Sequence, residues 1–368
     1  MIKKTLIFLL ISSLIWGFTG CARVSSSDQK VNRNPDDQVP NNVVVTDSSG
    51  RQVSIPGKVN RIACLYAFSG DMVTMLGKGQ DIVAVVDGLK RDVLLNQINP
   101  QIKQASVPVT TSVINIEELL KAKPDLAFVS KDTAANESET NKLRTANIPY
   151  LVVDFNSLKE QENAILMIGQ AIGEAGRARQ YVDYYQASIE RVQAKIKDIP
   201  LSNRIRVYHS VNEAARTDPP NSLPTDWLHV AGAISVSANA NLKLVDGNKY
   251  FAGLEQIILW NPQVILANEP GIPEYILSNS QWANIAAVKN KRVYQMPNGL
   301  SRWGHPGGME TPLAILWTAK TLYPDLFSDL DIDKEAKSFY QKCFNYSITD
   351  DMLSRILKGE NMRTPRSK

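Results

Sequence analysis

Residues 114–130 read INIEELLKAKPDLAFVS, and residues 252–268 read AGLEQIILWNPQVILAN. Each stretch has a Glu near its start, Glu117 and Glu255, then apolar residues three and four apart. A Pro follows seven positions after the Glu, and an unbroken apolar run closes the unit. This spacing predicts a short helix that stops before the Pro and leads into a buried strand. One chain thus writes a helix–strand unit twice, each copy opening on a carboxylate. Strand-like and helical segments alternate around both copies: RIACLYA, IVAVVD and YLVVDF in the first half, RIRVYHS and RVYQMP in the second. Such alternation predicts an α/β fold of mostly parallel sheets flanked by helices.

Between the halves lies a long helical stretch. Ser157 and Glu160 have the capping-box spacing at its start, and Gly173 and Gly176 divide it into two helices. The second carries Val182, Tyr185, Ile189, Val192 and Ile196 three and four apart, an apolar stripe on one face. Over residues 174–197 it would be roughly 36 Å long. The expected architecture is two α/β lobes, of about four or five strands each in this reading, joined by one long rigid helix. The expected boundaries are 43–156 for the N-terminal lobe, 157–200 for the linking helices, 201–345 for the C-terminal lobe and 346–368 for a C-terminal helix and tail. NVVVTDSSGRQVSIP reads as a hairpin, TDWLHVAG and METPLAILWTAKTLYP as helices, and TDDMLSRILKG as a last helix capped by Thr349 and stopped by Gly359.

The chain has 368 residues, 43% of them apolar and 21% charged, enough for large cores without staples. Its net charge of +4 includes Lys3 and Lys4, so the remainder is near neutral and no nucleic-acid partner is expected. Those lysines open a leader over residues 1–20, in which MIKK precedes the short apolar run TLIFLLISSLIW and then GFTG, as in a secretory signal. Cys21 directly after it resembles the lipidated Cys of a lipobox, with Phe18 in place of the usual Leu. Residues 21–42, rich in Ser, Asn, Asp and Pro, are expected to be a flexible tether of roughly 25 Å reach. Cys64 and Cys343 are expected to be buried free thiols. Neither CxxC nor HExxH is present, so no structural zinc site is expected.

The lipobox, the DSSGRQVSIPGKVNRIACL opening, the two Glu-to-Pro units and the single long linking helix together resemble the class III substrate-binding lipoproteins of ABC importers. That family delivers iron–siderophore complexes, haem and cobalamin to a membrane permease. The resemblance runs from Val43 to about Phe344. It implies that each lobe presents one surface Glu to an arginine pocket on one permease subunit, and Glu117 and Glu255 match those positions. It also implies a lipid anchor through Cys21 at the outer face of the cytoplasmic membrane or the periplasmic side of an envelope membrane, a cytoplasmic ATPase behind the permease dimer, and a monomeric receptor. On its own, a Glu at a helix start also fits mere stabilisation by the helix dipole.

Ligands of open α/β sheets sit beyond the carboxyl ends of the strands. Those ends nominate Tyr66, Lys131, Asp154 and Phe155 in the first lobe. In the second they nominate His209, Asn268, Glu269 and the loop NGLSRWGHPGG, with Arg302, Trp303 and His305 as its ligand-binding residues. Gly304, Gly307 and Gly308 are expected to let backbone approach a bulky guest. Arg216, on a Pro-rich loop, could overhang the cleft. Tyr66 and His209 equally fit a packing role, and Lys131 a solvated one; His229 and Trp227 are expected in the core. The expected cargo is a metal chelate, foremost a ferric siderophore, with a corrinoid or haem as alternatives. For haem, His305 or Tyr66 would be the axial ligand. The three His residues stand in different contexts, so a bare metal site is not expected, nor is an intrinsic cofactor. The competing class is a surface metal-dependent hydrolase using His305 with Glu310, or His209 with an Asp. No GxSxG or P-loop supports it, so no enzyme is expected.

Overall fold

The computed structural model describes residues 42–240, 242–245 and 249–365. The leader, Cys21 and nearly all of the tether lie outside the described residues. The described chain opens on the expected hairpin, in which β1 (Asn42–Thr46) pairs antiparallel with β2 (Gln52–Pro56). There follow β3 (Ile62–Cys64), α1 (Ala67–Val73), β4 (Ile82–Val86), α2 (Asp87–Lys90), α3 (Val93–Ile98), β5 (Ser106–Thr110) and β6 (Val113–Ile114). The first repeat copy gives α4 (Ile116–Ala122) and β7 (Leu126–Ser130), and α5 (Lys131–Ala135), α6 (Glu137–Thr145) and β8 (Tyr150–Val153) complete the lobe. Its sheet has the order β6-β5-β4-β3-β7-β8 and is parallel except for the β5–β6 pair. Six strands form instead of four or five because β5 and β6 are short and Pro108 masks their pattern. All of β3 and β8, and residues 126–129 of β7, are buried, which follows from helices covering both faces.

The link is a pair of packed helices, α7 (Leu158–Ala171) and α8 (Ala175–Ile196). Ser157 Oγ accepts the Glu160 N–H at 3.2 Å, and the Glu160 carboxylate accepts the Asn156 N–H at 2.7 Å, the capping arrangement read from the sequence. Gly173 takes φ 78° between the helices, a left-handed turn that favours glycine. A Cβ on Gly169 would stand 2.4 Å from the Ala178 Cβ, so the two helices cross in close contact there. Val182, Tyr185, Val192 and Ile196 are buried along the expected stripe.

The second lobe contains β9 (Ile205–Ser210), β10 (Arg216–Thr217), α9 (Leu223–Val230), β11 (Ala233–Ser235), β12 (Lys243–Val245) and β13 (Lys249–Phe251). The second repeat copy gives α10 (Leu254–Trp260) and β14 (Val264–Ala267). Then come α11 (Ile272–Ser278), α12 (Ala286–Lys289), β15 (Val293–Gln295), α13 (Thr311–Leu322), α14 (Ile332–Phe344) and α15 (Asp350–Leu357). The main sheet, β11-β9-β14-β15, is all parallel, and β10-β13-β12 form a small antiparallel sheet. Helix α14 escaped the sequence reading because charged residues crowd IDKEAKSFYQKCF, but Ala336, Phe339 and Tyr340 bury one face and Asp331 caps its start. Cys64 is buried and Cys343 partly so, and both are free.

The two copies match in detail. Helices α4 and α10 each have seven residues and end on a left-handed residue, Lys123 at φ 48° and Asn261 at φ 42°. Each is followed by its Pro and by an interior strand of its sheet. An arginine at the start of a parallel strand, Arg61 just before β3 and Arg206 within β9, closes the helix end in each lobe. Arg61 donates from Nε to the Lys123 carbonyl at 2.9 Å and from Nη2 to the Ala122 carbonyl at 2.5 Å, and Arg206 donates from Nη2 to the Trp260 carbonyl. Cations on the unpaired carbonyls of a helix C-terminus stabilise it. Glu117 and Glu255 stand exposed in the first turns at the opposite ends.

Candidate functional site

The loop over residues 298–310 is built around a buried carboxylate. Glu310 accepts the N–H groups of Leu300 at 3.0 Å and Ser301 at 2.8 Å, the Ser301 hydroxyl at 3.2 Å, and the Tyr340 hydroxyl. A Cβ on Gly299 would fall 2.0 Å from Glu310 Oε1, so only glycine admits the carboxylate at that point. The linking helices hold the other end of the loop. Gln161 Nε2 donates to the Gly308 carbonyl at 2.8 Å, Tyr181 donates to the Met309 carbonyl, and Tyr185 donates to Gln161 Oε1 at 2.7 Å.

This loop carries Arg302 and His305 to the space between the lobes. Two small cavities of about 120 and 190 Å³ adjoin there, sharing Asp92, Leu300, Ser301, Arg302 and Arg363. Tyr66, Asp71, His305 and Gly307 wall the smaller, and Arg91, Glu269 and Asn298 line the larger. Arg302 donates from Nη1 to Asn212 Oδ1 at 2.6 Å and to Glu269, which brace it. Its Nε and Nη2 groups have no partner among the described residues. The Arg363 guanidinium likewise has no hydrogen-bond or ion-pair partner among the described residues. His305 Nδ1 accepts the Gly307 N–H at 3.1 Å. Burial, then the positive charges of Arg302 and Arg363, hold the imidazole well below its usual pKa, so it is neutral and its one proton lies on Nε2.

Two buried acids complete the wall. Burial, with the charges of Asp92 and Glu310, pushes the Asp71 carboxyl well above the usual carboxylate range, and its Oδ1 has no partner. Burial pushes Asp92 up to about 8, against the pull of the Leu95 N–H, 2.7 Å from its Oδ1, and of Arg363. Asp92 therefore largely keeps its proton at neutral pH, and burial disfavours the charged form of Asp71 as well, so the wall is less acidic than its composition implies.

The structure thus brings Tyr66, Arg302 and His305 together, as nominated, and corrects other placements. Trp303 is fully buried and part of the core rather than a cleft wall, because its backbone N–H donates to the Pro297 carbonyl at 2.9 Å and the loop turns it inward. His209 is fully buried beneath the cleft, 2.5 Å from Asp218 through Nδ1 and edge-on to Trp227. Lys131 is 64% exposed and paired with Asp154 at 3.0 Å, outside both cavity walls. Arg216 is partly buried at 3.8 Å from Glu213 and lines neither cavity. Phe155 packs on Phe68, and Asn268 is buried, accepting the Asn212 N–H. Trp227 is core, as expected. His229 is exposed, not packed, because it falls on the solvent side in the last turn of α9. Gly304 and Gly308 serve internal packing, since added Cβ atoms would strike the Trp227 ring and Ser301 Oγ. Gly307 faces the smaller cavity, with the Tyr66 hydroxyl 3.1 Å from its added Cβ. Asp71, Asp92 and Arg363 were not read from the sequence. No motif marks the two acids, and Arg363 lies in a tail with no pattern.

The profile of the family described as periplasmic binding protein matches residues 62–300. The chain belongs to this family. Among relatives of this binding protein, the molybdate-binding protein MolA of Haemophilus influenzae is 28% identical over 336 residues, covering 85% of this chain and 93% of that one. The ABC transporter substrate-binding lipoprotein YvrC of Bacillus subtilis is 25% identical, covering 78% and 87%. The high-affinity heme uptake protein IsdE of Staphylococcus aureus is 23% identical, covering 54% and 66%. The solved structure of molybdate-bound MolA superposes with a TM-score of 0.73 at 26% identity, covering 83% of this chain and 99% of that one. The periplasmic binding protein is therefore the substrate-binding component of an ABC importer, with the class III fold, and not an enzyme. Among the described residues, no helix is long and apolar enough to cross a membrane.

Proposed function

We propose that this binding protein captures a small tetrahedral oxyanion of the molybdate type between its lobes and delivers it to its permease. The observation that carries this reading is the size of the two cavities beside Arg302, about 120 and 190 Å³, set against their donors; a third hollow of about 630 Å³, between the start of α7 and α9, has no arginine in its lining. Pockets for drug-sized organic ligands run to about 300–1,000 Å³, whereas a five-atom oxyanion replaces a few waters of about 30 Å³ each. Arg302 offers free guanidinium donors, Tyr66 a hydroxyl and His305 an Nε2–H. All of them donate, which suits an acceptor-only ligand. The likeness to a molybdate-binding protein along most of both chains supports the same class.

This reading disfavours the ferric siderophore expected from the sequence, since neither of the two cavities beside Arg302 has room for a chelate. It also disfavours haem. For His305 to ligate iron through Nε2, the proton would have to move to Nδ1, which breaks the Gly307 hydrogen bond. In the same proposal, Glu117 and Glu255 dock on arginines of a permease dimer, and Cys21 anchors a monomeric receptor to the membrane surface. The exposure of both Glu residues and the likeness to a lipoprotein support these assignments.

Titration calorimetry of the mature protein with molybdate, tungstate, sulfate, haemin and a ferric catecholate tests the ligand class. One-to-one binding of molybdate and tungstate, with no response to haemin or the catecholate, is expected. Saturable haemin or catecholate binding without molybdate heat would overturn it.

A further inference from the structure

The chain beyond α15 does not end in the lobe it leaves. It turns at Gly359, where φ is 68° and an added Cβ would sit 2.4 Å from the Met296 carbonyl. The side chain of Asn298, in the site loop, donates to the Glu360 carbonyl at 2.8 Å. The tail then crosses to the N-terminal lobe and pairs with the segment before α3. Val93 N–H donates to the Met362 carbonyl at 2.8 Å, Thr364 N–H to the Arg91 carbonyl at 2.9 Å, and Arg91 Nη1 to the Thr364 carbonyl at 2.7 Å. An antiparallel bridge joins Asp92 and Arg363 between these bonds. The tail is thus fastened to one lobe through Asn298 and to the other through Arg91 and Val93.

In extended chain, neighbouring side chains point to opposite faces. Met362 is 1% exposed and packs into the core, so Arg363 faces the other way, toward the ligand space. It lines both cavities, and its guanidinium lies against Gly88, with Cζ 3.7 Å from the position of an added Cβ. Arg363 is exposed, and its guanidinium, like the Nε and Nη2 groups of Arg302 in the same space, has no partner among the described residues. Two guanidinium groups with donors unmet in one small space are what an anion between them would satisfy.

We propose that the tail over residues 359–364 is a third wall of the ligand site, a strap across both lobes, and that Arg363 binds the oxyanion together with Arg302. This rests on the oxyanion reading above and adds a residue and a segment to it. In the mature full-length protein, Arg363→Gln should weaken molybdate binding about tenfold to a hundredfold, the loss of one bidentate charge-assisted contact. Arg363→Lys should recover part of it, and the melting temperature without ligand should stay at the wild-type value. Lys289→Gln, which removes an exposed positive charge that lines neither cavity, should bind as wild type and so controls for net charge. If wild type binds molybdate and Arg363→Gln binds equally well, the strap assignment fails alone. If wild type binds no oxyanion, the ligand reading fails and the strap assignment falls with it.

Discussion

Replacing Glu310 tests whether a buried carboxylate holds the ligand loop in place. Glu310→Ala deprives the Leu300 and Ser301 N–H groups and the Tyr340 hydroxyl of their acceptor inside the core. At about 1–3 kcal/mol for each orphaned donor, allowing for partial relaxation, the loss is roughly 3–6 kcal/mol. A folded body of about 330 residues unfolds with an entropy near 0.7 kcal/mol/K, so the melting temperature should fall by about 4–9 °C. Glu310→Gln keeps one acceptor oxygen but turns an NH₂ toward the other donors. The Ser301 and Tyr340 hydroxyls can rotate to accept it, but one backbone N–H cannot. The loss should then be about 1–3 kcal/mol, or roughly 1–4 °C. Differential scanning calorimetry reads both shifts. Calorimetric titration should show weaker ligand binding in both variants, since Arg302 and His305 stand on the same loop. A Glu310→Gln protein as stable as wild type, or more so, would refute the reasoning. It would mean that burying the charge costs more than its four hydrogen bonds return, a balance that the raised pKa of Glu310 makes a real contest.

Four further outcomes are expected. Asp92 is held at about 8 in the folded protein against an ordinary value of 3.8, so its share of stability is full below pH 4 and lost as pH rises through 8. Oxyanion affinity should follow, with Kd nearly flat below pH 8 and rising up to about tenfold per unit above it, as isothermal titration across pH 6–10 would show; an unchanged Kd at pH 10 excludes the coupling. Reversing both surface carboxylates, Glu117→Lys with Glu255→Lys, should leave ligand affinity in solution intact and cut uptake by cells more than about tenfold, in line with the loss of two charge-assisted contacts; undiminished uptake rules out docking through these residues. Burial raises the thiol pKa of Cys64 above the titratable range and that of Cys343 to about 12, so the folded protein should react only slowly with Ellman's reagent and release both thiols on denaturation. Small-angle scattering with and without molybdate should give superimposable profiles, because a stiff helix pair joins the lobes; a large change in radius of gyration contradicts it.

Much of this was legible in the sequence because it is local. The Glu-to-Pro spacing fixes a two-turn helix and its following strand without outside help. The capping pair Ser157 and Glu160 and the stripe on α8 mark the link in the same way. What the sequence did not show depends on contacts between distant segments. Arg363 reaches the cavity only because residues 361–364 pair with residues 91–93, some 270 positions earlier. Trp303 looked like a cleft wall because its neighbours Arg302 and His305 are polar, yet a tight loop sends alternate side chains to opposite sides. The glycines around it announced close approach correctly, but the approaching groups are Trp227 and Ser301 rather than a guest. Asp71 and Asp92 carry no sign in the sequence that their charges are suppressed, since only the surrounding burial does that.

Arg61 and Arg206 have a consequence for the receptor as a messenger. By clasping the tails of α4 and α10, they leave each bearing helix little freedom to rock on its sheet. With the α7–α8 pair also joining the lobes, the span between these two acidic tips, the docking points proposed above, becomes a fixed gauge, like the pins of a plug. A transporter meeting this surface could not sense a loaded carrier from the separation of those tips. It would have to detect cargo where the cargo itself changes the surface, along the seam between the lobes.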